Sequence, residues 1–244
     1  MRYDTRTAWA TMARLSASVV MTLLFALTAN RVVEHESTVA TMIGAAVEQR
    51  STDILPATTS ALPVVKVSVN ACGVRSHGSG FVVAEGLVVT AAHVVGDAGL
   101  VRLDMGSNSV TGEVIGRLAD GRDLALIAID TGRLSPPTPG EAPSVGAAVT
   151  MVGYPGGQRR TVSVGPSTKP LPTTSLVLAG ELIGVSAPTG EGFSGGPALD
   201  ASGRLVGVVV AAEAGTGTSI VVALPDADSL ADAALVPNSC PTVT

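Results

Sequence analysis

The sequence predicts an all-β fold from residue 60 onward, two six-stranded antiparallel β-barrels with a short C-terminal helix, preceded by an N-terminal membrane or signal helix. Three observations predict it. From Val64 on, short apolar, β-branched runs recur at intervals of about ten residues. Gly, Pro, Asp or Asn separates them, and no long helix intervenes, as expected of a barrel or sandwich. The connector "PGEAPSVG", 139–146, then divides the runs six and six.

Taken in chain order, the first element is "MRYDTRTAWATMARLSASVVMTLLFALTANRVVEHE". Arg2, Arg6 and Arg14 precede an uncharged stretch from Leu15 to Ala29, and Arg31, Glu34 and Glu36 follow it. This is the pattern of an export signal or a membrane anchor. Fifteen helical residues rise roughly 22 Å, short of a hydrocarbon core of about 30 Å, but extension back to Trp9 closes the gap if Arg14 snorkels. Ala26 and Thr28 make only a weak small-x-small cleavage site, and Met12 is an alternative start giving a shorter signal. A single-pass anchor over residues 1–33 and a cleaved signal both stay open. In either case the positive flank stays in the cytoplasm and the remainder is extracytoplasmic, at the membrane or secreted.

Residues 34–59 read as a juxtamembrane helix and linker: Val39, Met42, Ile43, Ala46 and Val47 recur at helical spacing, and "STDILPATTSALP" then has linker composition. The strands follow at 64–70, 79–84, 87–91, 99–104, 109–117, 124–129, 147–152, 161–165, 176–185, 197–199, 204–212 and 218–223. The first barrel is expected over about 60–138 and the second over about 145–224. "PDADSLADAALV", 225–236, opens on Pro and acidic residues and reads as the closing helix.

Composition agrees with this plan. The 244 residues are 46% hydrophobic and 2% aromatic, with 28 Gly and 15 Pro, which bounds the chain to one or two turn-rich domains. The net charge is −5, and residues 60–244 hold ten basic against fifteen acidic residues, so there is no electrostatic case for nucleic acid. Cys72 and Cys240 are the two cysteines. Outside the cytoplasm an even pair favours a disulfide over two buried thiols, and so wide a spacing with no neighbouring His argues against a metal site.

"GEGFSGGPALD", 190–200, places Ser194 among glycines. A serine hydroxyl is a poor nucleophile at neutral pH, so acyl transfer needs a base, an acid to orient it, and donors for the oxyanion. Gly192 and Ser194 can aim both their amides at one point, although such a stretch also suits a plain turn. Gly192 to Gly196 also fits G-x-S-x-G, but an α/β-hydrolase needs its His after the Ser. The histidines here are His35, His77 and His93, and all precede Ser194. His35 falls in the juxtamembrane segment and His77 in the loop "CGVRSHGSGF", both readable as ordinary polar positions. His93 ends the strand "GLVVTAAH", where Ala91 and Ala92 allow close packing that fixes the ring; a satisfied core histidine is the alternative. In "GRDLALIAID" Asp123 enters an apolar strand, as a turn residue or as a carboxylate that orients an imidazole. Asp120 and Asp130 are poorer candidates, one in a Gly turn and the other closing the strand.

"VVTAAHVV", "RDLALI" and "GFSGGPALD", in the order His, Asp, Ser, resemble the three catalytic motifs of trypsin-like serine proteases of the chymotrypsin fold, especially the HtrA/Deg branch. "ACGVRSHGSGFVVAEGLVVTAAHVVGDA", the paired cysteines and the N-terminal apolar segment resemble the actinobacterial acid-resistance periplasmic proteases more closely. The resemblance covers about residues 60–240. It implies that His93 is general base and acid, that Asp123 orients it, that Ser194 attacks, and that the Gly192 and Ser194 amides form the oxyanion hole. It implies a peptide or protein substrate and no cofactor or metal. The chain ends some fifty residues past Ser194, so the PDZ module usual in HtrA proteases is not expected, nor are the several membrane spans of the actinobacterial relatives.

In such a fold "SAPTGE", 186–191, and "VGVVVAAE", 206–213, would line the specificity pocket. Pro188 stands at its base position in place of an acid, so a small or medium apolar P1 residue is expected. "GGQRRTVSVGPSTKPLPTTS", 156–175, reads as a mobile loop near the site or as an ordinary surface loop. A Cys72–Cys240 bridge would be structural or, on a sharper reading, a redox switch. The competing functional reading is a catalytically silent, membrane-anchored peptide-binding or sensor domain of the same fold; an esterase is disfavoured by the motif order.

Overall fold

The structure is a computed structural model, and it describes residues 62–71, 73–130, 134–158, 160–168, 178–213, 215–226, 229–230 and 232–240. The expected anchor, juxtamembrane helix and linker, His35, Cys72 and much of 156–175 lie outside the described residues.

Six strands build the first barrel: β1 (Val64–Ala71), β2 (Val74–Ala84), β3 (Leu87–Ala91), β4 (Leu100–Met105), β5 (Asn108–Leu118) and β6 (Leu124–Ala128). Every neighbouring pair is antiparallel, in the order β5-β4-β1-β2-β3-β6, and pairing of β5 with β6 closes the ring. Period-two burial explains the closure. In β5, Val114, Gly116 and Leu118 are buried while Glu113 and Ile115 are exposed, so one face fills the barrel and the other meets water. By register Val65, Val67, Val82, Val88, Leu103 and Ile127 share the inward face, while Phe81, Val89 and Leu124 are buried on the opposite face. Full burial of one such side chain contributes roughly 1.5–3 kcal/mol.

The second half consists of β7 (Ala148–Gly153), β8 (Thr161–Pro166), β9 (Leu182–Val185), β10 (Pro197–Leu199), β11 (Leu205–Glu213) and β12 (Thr218–Val222). Their order is β8-β7-β10-β11-β12-β9. Among the described residues the outer strands meet through an isolated bridge, Ser167 to Val185, and flanking main-chain bonds from Thr168 N to Gly184 O and Ser186 N to Pro166 O. This half is therefore a half-barrel beside a closed six-stranded barrel, less complete than the second barrel expected from strand count.

The closing helix is also shorter than the sequence pattern suggests. Ser229 and Leu230 are helical, with Asp226 capping the turn through its carboxylate to Ser229 N and its carbonyl to Leu230 N. Leu235–Val236 instead forms a short strand, β13, paired with Leu118 and Arg117 of β5. Cys240 is buried, donates its backbone N–H to Asp97 O, and is not a free thiol.

The largest apolar cluster does not stop at the first barrel. It continues into Val152, Leu182, Leu199, Leu205, Val208 and Val222 of the second half, while Val149, Met151, Val185, Phe193 and Val209 belong to a smaller second cluster. The ends of β3 and β6 and the turn before β10 meet beside this shared apolar interior.

Candidate active site

His93 lies in a four-residue helix, α1 (Ala92–Val95), that follows β3 directly. Ala91 is its N-cap and offers no side-chain hydrogen bond, so the first amides need acceptors from elsewhere. Asp123 supplies them. Its carbonyl accepts from Ala92 N at 3.0 Å and its Oδ1 from His93 N at 2.9 Å. Its other carboxylate oxygen, Oδ2, accepts from the His93 ring at Nδ1, 2.5 Å away. One residue at the mouth of β6 thereby caps the helix and fixes the imidazole carried on it, with Nδ1 holding the proton of the neutral ring and Nε2 left unprotonated.

The electrostatics follow from this contact. The hydrogen bond to Asp123 and its negative charge raise the His93 pKa above 6.5, against a partial burial that pulls it down. Asp120 is occupied by Arg122, through that residue's backbone N–H and Nε, and so takes no part. His77 sits on β2 with a buried Nε2 that has no partner among the described residues.

Ser194 sits in the turn before β10, half-buried. The turn is pinned peptide by peptide. Glu191 O accepts from Gly156 N; Gly192 O accepts from the Ser79 hydroxyl and from Tyr154 N; Phe193 O accepts from Gly196 N; and Ser194 O accepts from Ser79 N. Among the five consecutive amides from Gly192 to Gly196, those of Phe193, Gly195 and Gly196 donate within the protein, to Gly190, Val209 and Phe193. Those of Gly192 and Ser194 donate to no described residue, and this is the pair singled out for an oxyanion. Two flanking glycines are obligatory. Gly192 has φ +101° and a Cβ there would strike the Tyr154 carbonyl, while at Gly195, φ +86°, it would collide with the Ser79 carbonyl and Ala91 N. The Gly195 contact places the serine turn directly against the end of β3, one residue short of α1.

The structure thus joins His93 to Asp123 and packs the Ser194 turn against their elements. No hydrogen bond joins Ser194 Oγ to the His93 ring. Ser79 and Thr90 were not singled out from sequence, yet both are buried hydroxyls in the turn's support: Thr90 Oγ1 donates to Ser79 O at 2.7 Å. A polar residue inside the otherwise apolar "GSGFVV" and "VVTAA" was the available signal. On the side of residues 186–190, Ser219 Oγ donates to Ala187 O and meets Thr189 Oγ1, and Ser163 Oγ donates to Pro188 O. Ser186 to Gly190 include no carboxylate.

Residues 78–208 match the family model of a trypsin-like peptidase domain. The "Probable periplasmic serine endoprotease DegP-like" of Chlamydia trachomatis is 35% identical over 146 residues, covering 58% of this chain and 29% of the relative. "Serine protease Rv3671c" of Mycobacterium tuberculosis is 29% identical over 174 residues, covering 65% of this chain and 42% of the relative. The chain therefore spans under half the length of these relatives. The crystal structure of the active form of the Rv3671c protease superposes with a TM-score of 0.65 at 26% identity, covering 75% of this chain and 86% of that one. The HtrA-type protease AlgW with a tripeptide has the same fold, with a TM-score of 0.62 at 24% identity over 69% of this chain and 60% of that one.

Proposed function

Because this chain belongs to the trypsin-like peptidase family, with HtrA-like relatives, we propose that it is an extracytoplasmic serine endopeptidase working through an acyl-enzyme. The observation that carries the proposal is the pair of unspent amides, Gly192 and Ser194, in a serine turn packed against the element bearing the Asp123-held imidazole. A turn of purely structural use would have no reason to leave these two donors free while spending their neighbours.

In this mechanism Ser194 Oγ attacks the scissile carbonyl and His93 Nε2 takes its proton. Asp123 stabilises the imidazolium through Nδ1–H, and the oxyanion accepts from the Gly192 and Ser194 amides. Collapse breaks the C–N bond as His93 returns the proton to the leaving amine. Water, deprotonated by His93, then hydrolyses the ester and restores Ser194. No cofactor or metal enters any step. The lack of a carboxylate in residues 186–190, and the engagement of the Ser219 and Thr189 hydroxyls with each other and with Ala187 O, support a small or medium apolar P1 residue.

The same reading puts residues 1–33 in the membrane or an export signal, and a bridge between Cys72 and the buried Cys240. Among the described residues no helix is long and apolar enough to cross a membrane. The catalytically silent peptide-binding alternative is favoured by one observation, the missing bond between Ser194 Oγ and His93. Catalytic hydrogen bonds often form only when substrate closes the site, so this geometry is compatible with activity. A fluorophosphonate probe on the purified chain, beside Ser194→Ala and His93→Ala, tests the proposal. Labelling that both variants abolish is the expected result; a folded wild type that does not label overturns it in favour of the silent domain.

A further inference from the structure

Ser79 is a serine with no exposed surface at all, at 0% accessibility, in the middle of β2 of the closed barrel. Burying a hydroxyl costs free energy unless its hydrogen bonds are satisfied, and here every polar atom of the residue is spent on one neighbourhood. Its Oγ donates to Gly192 O at 2.6 Å and accepts from Tyr154 N at 2.9 Å. Its own N–H donates to Ser194 O at 2.8 Å. Its carbonyl accepts from Thr90 Oγ1 at 2.7 Å. Ser79 thus holds the Gly192–Phe193 peptide by its hydroxyl and the Ser194–Gly195 peptide by its amide, and the first of these links the two peptides that carry the Gly192 and Ser194 N–H groups.

The two grips differ. The bond from Ser79 N to Ser194 O is main-chain and survives any substitution except proline. The bond from Ser79 Oγ to Gly192 O depends on the side chain, and it acts on a glycine at φ +101°, whose backbone no Cβ restricts. On the other side of Gly192, Glu191 O is fixed by Gly156 N at 2.9 Å. The Gly192 N–H shares its peptide with Glu191 O, so Gly156 N holds that peptide directly, while Ser79 holds the next one, Gly192–Phe193, and so limits the torsions that set the angle between the Gly192 and Ser194 amides. With the hydroxyl gone, Tyr154 N alone holds the Gly192 carbonyl, at 3.3 Å.

We propose that Ser79 is a positioning residue for the oxyanion hole, its hydroxyl fixing, from across the barrel interface, the Gly192–Phe193 peptide that links the two donor-bearing peptides, so that the Gly192 and Ser194 amides converge before substrate arrives. The assignment rests on the endopeptidase reading above. Because the oxyanion exists only beyond the ground state, losing this support acts on kcat and leaves substrate binding nearly unchanged. Misplacing one donor by a fraction of an ångström costs about 10- to 100-fold.

The test uses the full chain in wild-type, Ser79→Ala, Ser79→Cys and Ser167→Ala forms. Ser167 is the control, since it is buried and donates to Ser144 O at the edge of β8, away from the serine turn. Hydrolysis of an acyl-Ala-Ala-Pro-Val anilide gives kcat and KM, a peptide boronate reports affinity for a tetrahedral adduct, and thermal melting reports the fold. Ser79→Ala is expected to lower kcat about 10- to 100-fold with KM within about twofold, and to weaken the boronate in parallel. Ser79→Cys, similar in shape but a poorer donor, should fall between, which keeps the assignment testable if the alanine variant does not fold. Ser167→Ala should lose comparable thermal stability while keeping kcat. An unchanged kcat in a folded Ser79→Ala or Ser79→Cys, or a kcat loss that simply tracks melting temperature in the Ser79 and Ser167 variants alike, overturns the role of Ser79 alone. A wild type that neither labels with fluorophosphonate nor turns over the anilide overturns the endopeptidase reading first.

Discussion

Asp123 holds His93 at two points with the two oxygens of one carboxylate, the ring Nδ1 by Oδ2 and the backbone N–H by Oδ1. The imidazole is therefore fixed both at its tip and at the chain that carries it. Asp123→Asn keeps an oxygen for the backbone contact but cannot both cap the helix and accept from Nδ1–H in the original arrangement. Under the proposed mechanism kcat should fall roughly 10³- to 10⁴-fold while the melting temperature shifts only a few degrees, read from kinetics and calorimetry on the same samples.

The raised His93 pKa makes two opposite predictions for pH. The base must be neutral, so the acid limb of kcat/KM should have its midpoint above 6.5, and Asp123→Asn should move that midpoint down. Stability runs the other way. A group whose folded pKa exceeds its unfolded value stabilises fully below the unfolded value, about 6.5, and that stabilisation is lost as pH rises through the folded pKa. The His93 side chain is half exposed, so the effect should stay under about 1 kcal/mol. Denaturant titrations of wild type and His93→Ala should converge above the folded pKa and separate near pH 5.5.

Gly192→Ala meets both a positive φ and the Tyr154 carbonyl. The strain alone costs of order 1–3 kcal/mol, and relief by rotating the peptide would turn the amide out of the site. Activity should be lost to below about 1% of wild type, in proportion to a lost oxyanion donor. Gly190→Ala is the counterpart, since a Cβ there meets nothing within 4 Å. Its stability should stay within about 0.5 kcal/mol of wild type.

A bridge between Cys72 and Cys240 would close most of the described chain into one loop. Mass spectrometry of the non-reduced protein should find a single cross-linked peptide pair, and Cys240→Ser should cost roughly 3–5 kcal/mol in denaturant titrations. If reduction leaves the folded protein turning over substrate at the oxidised rate, the bridge is structural and the redox-switch idea is wrong.

Much of the fold was legible because strands announce themselves by spacing. The apolar runs starting near Val64, Leu87, Leu124 and Pro197 became β1, β3, β6 and β10 with ends shifted by a residue or two at most. What sequence could not carry was closure. Whether β8 reaches β9 depends on how far two distant edges stay in register, and among the described residues that contact amounts to one bridge and two flanking main-chain bonds. The tail misled for a similar reason: Leu235 and Val236 suit a helix end locally, but the open edge of β5 at Leu118 and Arg117 offered them partners. At the proposed site, His93, Asp123 and Ser194 were singled out from motifs. The Ser79 clamp was not, because a polar residue inside an apolar stretch marks a buried hydroxyl but not the partner 113 positions away that it reaches.

The chain is synthesised from its N-terminus, and the shared apolar interior has a temporal meaning. His93, Asp123 and Ser79 belong to the half made first, whereas Gly192, Ser194 and the strands that seat them come later. Under the proposed chemistry a chain arrested between the two halves holds the base and its orienting acid but neither the nucleophile nor the oxyanion donors, so it cannot cut its neighbours until the second half has been made and has consolidated on the first.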